Sequence, residues 1–124
     1  MGAKYDLATL GVRAGQARSD GSDGSAGVLA EVIGMYLDEA GLHLQRLRDA
    51  LARQDPQALD RTAHAFKSAS QNVGAMHLGE LCRRLERQGR AGQLAGASEL
   101  VRAIEQQLDL VRPLLLAEIE QVGP

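Results

Sequence analysis

The sequence predicts an all-α protein, an antiparallel up-and-down four-helix bundle. Apolar residues make up 44% of the 124-residue chain, but aromatic residues only 2%. The core must therefore consist mainly of Leu, Ala, Val and Ile, which favours helices packed on helices. Apolar residues recur at steps of three and four along most of the chain, as they do on one face of an amphipathic helix. A chain of this length fits one domain.

The first 27 residues are predicted to lie outside the bundle, which we place at residues 28–122. Residues 18–27, RSDGSDGSAG, are rich in Gly, Ser and Asp and have no apolar periodicity. This composition indicates a loop or a flexible linker. Residues 4–16 contain the apolar Leu7, Leu10 and Val12 together with Gly11 and Gly15, which leaves two interpretations. They form either an extra short helix that docks on the bundle or a partly disordered segment.

The first bundle helix is predicted over residues 26–53, where a long apolar face is interrupted by two glycines. Gly34 and Gly41 each cost about 1 kcal/mol relative to Ala, and we expect the apolar face to outweigh this cost. The residues of that face recur at helical spacing: Leu29, Val32, Ile33, Tyr36, Leu37, Ala40, Leu44, Leu47 and Leu51.

The second helix is predicted over residues 56–72, with clear start and stop signals. Asp55 is a favourable N-cap and Pro56 a favourable first helical residue. Gly74 is expected to end the helix with a positive φ. The predicted core face consists of residues at helical spacing: Leu59, Ala63, Phe66, Ser70 and Val73.

Two further helices are predicted over residues 75–90 and 93–121. Gly89 and Gly92 bracket the end of the third helix. Pro113 lies inside the fourth helix, where a proline removes a backbone hydrogen bond and usually causes a kink. The third helix carries Leu78, Leu81, Cys82 and Leu85, and the fourth carries Leu94, Ala97, Val101, Ile104, Leu108, Val111, Leu115 and Ile119.

Cys82 is the only cysteine in the chain, which excludes an internal disulfide. It lies next to Leu81 and three residues before Leu85, at the spacing of a buried helix face. This position favours a small buried hydrophobic residue over a reactive thiol.

Charge and hydropathy exclude several classes of function. The net charge of −2, from 14 basic and 16 acidic residues, is not typical of a nucleic-acid-binding protein. No apolar run approaches the length of about 18 residues that indicates a membrane span. The N-terminal MGAKYDLATLG lacks the apolar core of a signal peptide. We therefore expect a cytoplasmic protein that binds neither nucleic acid nor membrane.

Nucleotide, cofactor and metal sites are also not expected. The chain has no P-loop and no Gly-rich nucleotide fingerprint, so we expect neither an ATP site nor kinase activity, and no cofactor. His43 and His77 have no partner at the spacing of metal ligands. Both are predicted to be ordinary surface or boundary residues.

His64 is the candidate functional residue. With Lys67, Ser68 and Gln71 it shares a face of the second helix that points away from the core residues, so it is expected to be exposed. A neutral imidazole is a nucleophile near neutral pH. Lys67 could stabilise the charge of an attached phosphoryl group, and the small Ser68 leaves room for a partner. On spacing alone, an ordinary polar helix face is the more frequent explanation.

The stretch HAFKSASQNVGAMHLGELCRRLE, from His64 to Glu86, closely resembles the signature of histidine-containing phosphotransfer (HPt) domains of bacterial multistep phosphorelays. In that signature a Lys follows the His by three residues and a small residue comes next. A Gly ends the helix, and an L-x-x-L-C-x-x-L-E run follows. The resemblance covers about residues 28–120, and the first 25 residues are outside it.

The resemblance implies that His64 is exposed and is reversibly phosphorylated, on Nε2, by exchange with an aspartate of receiver domains. Lys67 is implied to stabilise the added charge. Glu86 is implied to hold Nδ1–H and leave Nε2 free to react, and Arg90 to add positive potential. Ser68 departs from the pattern, because many relatives have Gly there, and the change can bias partner choice or rate. Any Mg²⁺ in the exchange belongs to the receiver domain.

The function implied is that of a phosphorelay intermediate, which takes a phosphoryl group from one receiver domain and passes it to another. The expected partners of this monomer are receiver domains of response regulators, a hybrid sensor histidine kinase, or both. One alternative is a helical module that binds a receiver or a kinase without being phosphorylated. The intact pair of His64 and Lys67 argues against it. A purely structural helical bundle is a further alternative.

Overall fold

A computed structural model describes residues 25–122, which form four helices and no strand. These are α1 (Ser25–Ala52), α2 (Pro56–Asn72), α3 (Met76–Arg90) and α4 (Ala97–Val122). Within this range each helix packs against its neighbours in sequence and α4 packs against α1, without a diagonal pair. The short connections and the closed ring of contacts make the fold an up-and-down bundle, so the predicted fold class is confirmed.

The start of α1 lies one residue before the predicted start at residue 26. Residues 25–27, at the end of the Gly/Ser/Asp stretch, form the first turn of α1. A single glycine in a first turn lowers helix stability by only about 1 kcal/mol, which the long helix that follows outweighs. The predictions for residues 4–16 and for the rest of the linker lie outside the described residues. The proposed division of the chain near residue 27 stays a prediction.

The start and stop signals of α2 act as predicted. The Asp55 side chain accepts a hydrogen bond of 3.1 Å from the backbone N–H of Ala58, and Pro56 begins the helix. Val73 caps the other end, and Gly74 follows with φ 81°. A residue without a Cβ adopts this left-handed conformation without strain, so the chain can turn directly into α3.

The predicted start of α4 at residue 93 was wrong, because the helix begins at Ala97. Gly92 and Gly96 adopt φ values of 71° and 83°, so the backbone from one to the other is a turn. Leu94 lies in this turn and is partly buried against the core. Leu94 therefore extends the apolar spacing of α4 by one turn, although it lies before the first residue of the helix. Pro113 lies inside α4, which continues to Val122.

The core consists of the apolar faces predicted for the four helices. Leu59, Ala63 and Phe66 of α2 are fully buried, and Cys82 of α3 is buried beside them. Its lack of exposed surface confirms the interpretation of this cysteine as a small buried residue, and burial raises the pKa of the thiol to about 12. No helix in the described part of the chain is both long and apolar enough to cross a membrane.

A buried polar contact joins α1 to α2. The hydroxyl groups of Tyr36 and Ser70 lie 2.8 Å apart, and Ser70 has no exposed surface. Burial raises the pKa of the Tyr36 hydroxyl, so it stays protonated and available for this hydrogen bond. Because a buried hydroxyl without a partner is unfavourable, this pair favours one register of α1 on α2.

His43 was predicted to be a surface or boundary residue, but it is buried. Only 8% of its surface is exposed, and its ring stacks on Phe66 with the ring centroids 5.2 Å apart. Burial lowers the pKa of His43. A flat neutral imidazole fills the space beside Phe66 as an aromatic residue does. His77, by contrast, is exposed as predicted.

Candidate functional site

The site lies where α2 and α3 pack closely together. A Cβ atom on Gly89 would lie only 2.7 Å from the backbone N of Asp60 and the backbone O of Pro56. A Cβ on Gly79 would lie 3.2 Å from Cγ of Gln71. Two glycines of α3 therefore allow its backbone to approach α2. Gly89 was predicted to mark the end of a helix, but the close approach is the stronger constraint on it.

Glu86 lies between these glycines on the face of α3 that packs against α2. It is buried, with 5% of its side chain exposed. An isolated buried carboxylate is unfavourable, so its partners decide whether it is stable there. The close packing of α2 brings two of these partners, His64 and Lys67, within hydrogen-bonding distance.

His64 is the first partner of this carboxylate. Nδ1 of His64 lies 2.7 Å from Oε2 of Glu86, while 60% of the His64 side chain is exposed. An ionised carboxylate only accepts hydrogen bonds, so Nδ1 carries the hydrogen and donates it. In the neutral ring, Nε2 then has no hydrogen and keeps a free lone pair. The expected exposure of His64 is observed.

Lys67 is the second partner. Its Nζ donates to Oε1 of Glu86 at 2.8 Å, and 20% of its side chain is exposed. Burial alone would raise the pKa of Glu86, but the hydrogen bonds from Lys67 and His64 outweigh it and hold the pKa below its usual range. Glu86 is therefore ionised at neutral pH.

Arg90 is a third donor to the same carboxylate. Its Nη2 lies 3.0 Å from Oε2 of Glu86 and 3.5 Å from Oδ1 of Asp60. Asp60 precedes His64 by one turn on α2. No role was predicted for Asp60, although an acidic residue four positions before His64 lies on the same face of the helix. The direct ion pair between Lys67 and Glu86 was also not predicted.

Ser68 and Gln71 lie on the same face of α2, beyond His64. Ser68 is half-buried and Gln71 is exposed. None of the hydrogen bonds to Glu86 involves Ser68. The structure therefore brings His64, Lys67 and Glu86 into direct contact and leaves Ser68 beside them.

This arrangement suits the transfer of an electrophilic group to an exposed nitrogen. One ring nitrogen is held by a buried carboxylate, the other is accessible, and two cationic side chains lie nearby. Within residues 25–122, no group of three or more His, Cys, Asp or Glu side chains is arranged to hold a metal ion.

Comparisons with known proteins agree with this geometry. The family model of the Hpt domain matches residues 31–113. The chain is similar to the crystal structure of histidine-containing phosphotransfer protein B (HptB) from Pseudomonas aeruginosa PAO1, with 31% sequence identity and a TM-score of 0.71. The match covers 83% of this chain and 98% of that one. No curated protein matches the sequence. From the family match and the solved structure together, we conclude that the chain belongs to the Hpt domain family.

Proposed function

We propose that Nε2 of His64 accepts a phosphoryl group from the aspartyl phosphate of one receiver domain and passes it to an aspartate of another. Hpt domains are phosphocarriers of phosphorelays rather than kinases, and this chain is a histidine phosphotransfer intermediate of that kind. The observation that carries this assignment to Nε2 is the 2.7 Å contact of Nδ1 with Glu86, on a side chain that is 60% exposed.

The transfer needs no proton to leave the ring. The lone pair of Nε2 attacks phosphorus, the bond from phosphorus to the aspartyl oxygen breaks, and its electron pair leaves on the carboxylate of the receiver. Because Nδ1 keeps its hydrogen, positive charge develops on the imidazole of His64. The ionised carboxylate of Glu86 stabilises that charge, as a buried carboxylate stabilises an imidazolium in a catalytic triad. The reverse attack by a receiver aspartate restores the neutral ring.

Lys67 is proposed to stabilise the phosphoryl group. The phosphoryl group brings close to two negative charges, and Lys67 lies one turn from His64 on the same helix. Its ammonium group contacts Glu86 before the transfer and can turn towards the phosphoryl oxygens after it. The small side chain of Ser68 leaves the approach to His64 open and places a hydroxyl group near the phosphoryl oxygens.

Hpt domains interact with receiver domains and kinases. For this chain we propose receiver domains of response regulators, a hybrid sensor histidine kinase, or both. We further propose that the bundle of residues 28–122 acts as a monomer in the cytoplasm, where it meets them.

The test is incubation with a receiver domain that carries a ³²P-labelled aspartyl phosphate. We expect label on the wild type and on His77→Gln, which removes another exposed histidine, but none on His64→Gln. The labelled bond should be labile in acid and stable in alkali, as expected for phosphohistidine. Equal labelling of His64→Gln and wild type would contradict the assignment of His64. Binding of the receiver without label on any variant would favour the non-phosphorylated binding module instead.

A further inference from the structure

We infer that Arg90 is a positioning residue that neutralises Glu86 and thereby frees Lys67 to stabilise the phosphoryl group. This inference rests on the proposed phosphorylation of His64. The two cationic side chains that contact Glu86 then have separate roles: Lys67 stabilises the phosphoryl group, and Arg90 neutralises the carboxylate. Lys67 changes its partner during the transfer, and Arg90 does not.

The two oxygens of Glu86 have different partners. Oε1 accepts a hydrogen bond from Lys67. Oε2 accepts from both Nδ1 of His64 and Nη2 of Arg90. The loss of Lys67 would therefore leave Oε1 without its donor but would not leave the carboxylate without a cation.

After the transfer, Lys67 faces two anionic groups, the carboxylate of Glu86 and the phosphoryl group on His64. Glu86 is almost completely buried, and a buried carboxylate without a cation is strongly unfavourable. If Lys67 were the only cation on Glu86, its movement to the phosphoryl group would be opposed by this penalty. The imidazolium of His64 and the guanidinium of Arg90 both stay on Oε2 and offset this penalty. Of these two cations, only Arg90 is charged before the transfer as well as after it.

Arg90 is itself held in place by α2. Its Nη2 lies 3.5 Å from Oδ1 of Asp60, so the guanidinium bridges carboxylates from two helices. A guanidinium presents several donors in a fixed plane, whereas an ammonium group is a single point of charge. The close packing at Gly89, the residue before Arg90, brings the α3 backbone next to Asp60. These contacts keep Arg90 on Glu86 although 67% of its side chain is exposed.

The test uses phosphoramidate, a small phosphoryl donor that needs no docking partner. Nε2 of His64 attacks its phosphorus, a new phosphorus–nitrogen bond forms, and ammonia leaves with the electron pair of the broken bond and a proton from the medium. We expect Arg90→Gln to slow phosphorylation of His64 by about twofold to fivefold, the range for an exposed ion pair. Arg90→Lys should restore part of the rate. Arg87→Gln is the matched control, because it removes an exposed arginine from the same helix, and it should react as the wild type.

A double-mutant cycle separates this role from a general effect of positive charge. Glu86→Gln removes the carboxylate that Arg90 neutralises, so Arg90→Gln should have no further effect in that background. In the resting protein, Lys67 still holds Glu86, so ¹⁵N NMR of Arg90→Gln should show His64 with its hydrogen on Nδ1, as in wild type. A variant that had lost the local fold would not keep this signal.

Three results would overturn the inference: equal rates for Arg90→Gln and Arg87→Gln, an undiminished effect of Arg90→Gln in the Glu86→Gln background, or loss of the Nδ1–H signal in resting Arg90→Gln. Failure of the proposed function would give a result that differs from these three. In that case the wild type itself takes no phosphoryl group on His64 from phosphoramidate or from a labelled receiver.

Discussion

Glu86 of α3 selects which nitrogen of His64 carries hydrogen, because its Oε2 lies 2.7 Å from Nδ1 across the contact with α2. The reactive nitrogen on one helix is thus determined by a buried carboxylate on another.

Removal of the Glu86 carboxylate should change the tautomer of His64. In Glu86→Ala nothing holds a hydrogen on Nδ1, so the form with hydrogen on Nε2 gains population and the accessible nitrogen loses its lone pair. We expect phosphorylation to slow on the order of tenfold, as is common when the partner that orients a histidine is removed. Glu86→Gln should be less affected, because an amide oxygen can still accept from Nδ1. The tautomer is measured by ¹⁵N NMR, and an unchanged Nδ1–H signal in Glu86→Ala would contradict this prediction.

The ionisation of Glu86 should make stability depend on pH. Its pKa is lowered from the ordinary value of 4.5 in the folded chain, so the folded state binds the proton less tightly than the unfolded state. This contribution to stability is fully present above about pH 4.5 and is lost as the pH falls through the lowered folded pKa. Urea unfolding between pH 3 and 7 should therefore give a smaller decrease for Glu86→Gln than for the wild type. Parallel decreases would mean that Glu86 is not held in its charged form.

Gly89→Ala should separate α3 from α2. The new Cβ would lie 2.7 Å from two backbone atoms of α2, and backbone atoms cannot move aside as a side chain can. We expect a loss of about 1–3 kcal/mol in the free energy of unfolding, as for other overpacked positions. The signal of the His64 Nδ1–H should change as well.

Gly41→Ala is the control for that variant. A Cβ at Gly41 has no atom within 4 Å, and the residue lies inside α1. The free energy of unfolding should rise by about 0.5–1 kcal/mol, the usual difference between Ala and Gly in a helix. Equal effects of the two substitutions would show that close packing at Gly89 is not the cause.

Cys82 should be unreactive while the chain is folded. It has no exposed surface, and burial raises its pKa to about 12. Because the thiolate is the nucleophile, alkylation by iodoacetamide at pH 8 should require unfolding and should accelerate when urea unfolds the chain. Rapid alkylation without urea would contradict the buried position of the thiol.

The sequence predicted those features that depend on local chemistry. Asp55, Pro56 and Gly74 define the ends of α2 because each signal acts within one turn of its own residue. The start of α4 was predicted too early. Leu94 contacts the core from a turn, and its spacing from Ala97 and Val101 is the same as that of residues on one face of a helix. The burial of His43 was missed because its partner, Phe66, lies on another helix, and a polar residue type gives no sign of that contact.

The same distinction applies to the site. The exposure of His64 followed from the helical spacing of α2 alone, and its partner Glu86 was suggested only by family resemblance. The pairing of Lys67 with Glu86 and the bridge from Arg90 to Asp60 depend on how closely two helices approach. No pattern within one helix encodes that distance.

Because Gly89 allows α3 to lie close to α2, the reactivity of His64 depends on the distance between these two helices. A hydrogen bond of 2.7 Å is lost when its atoms move apart by about one ångström. A bound partner that forced α2 and α3 apart by that amount would release the His64 ring and allow the hydrogen to move to the outer nitrogen. Mechanical separation of the helices would then slow phosphoryl transfer without any change in the residues that perform it.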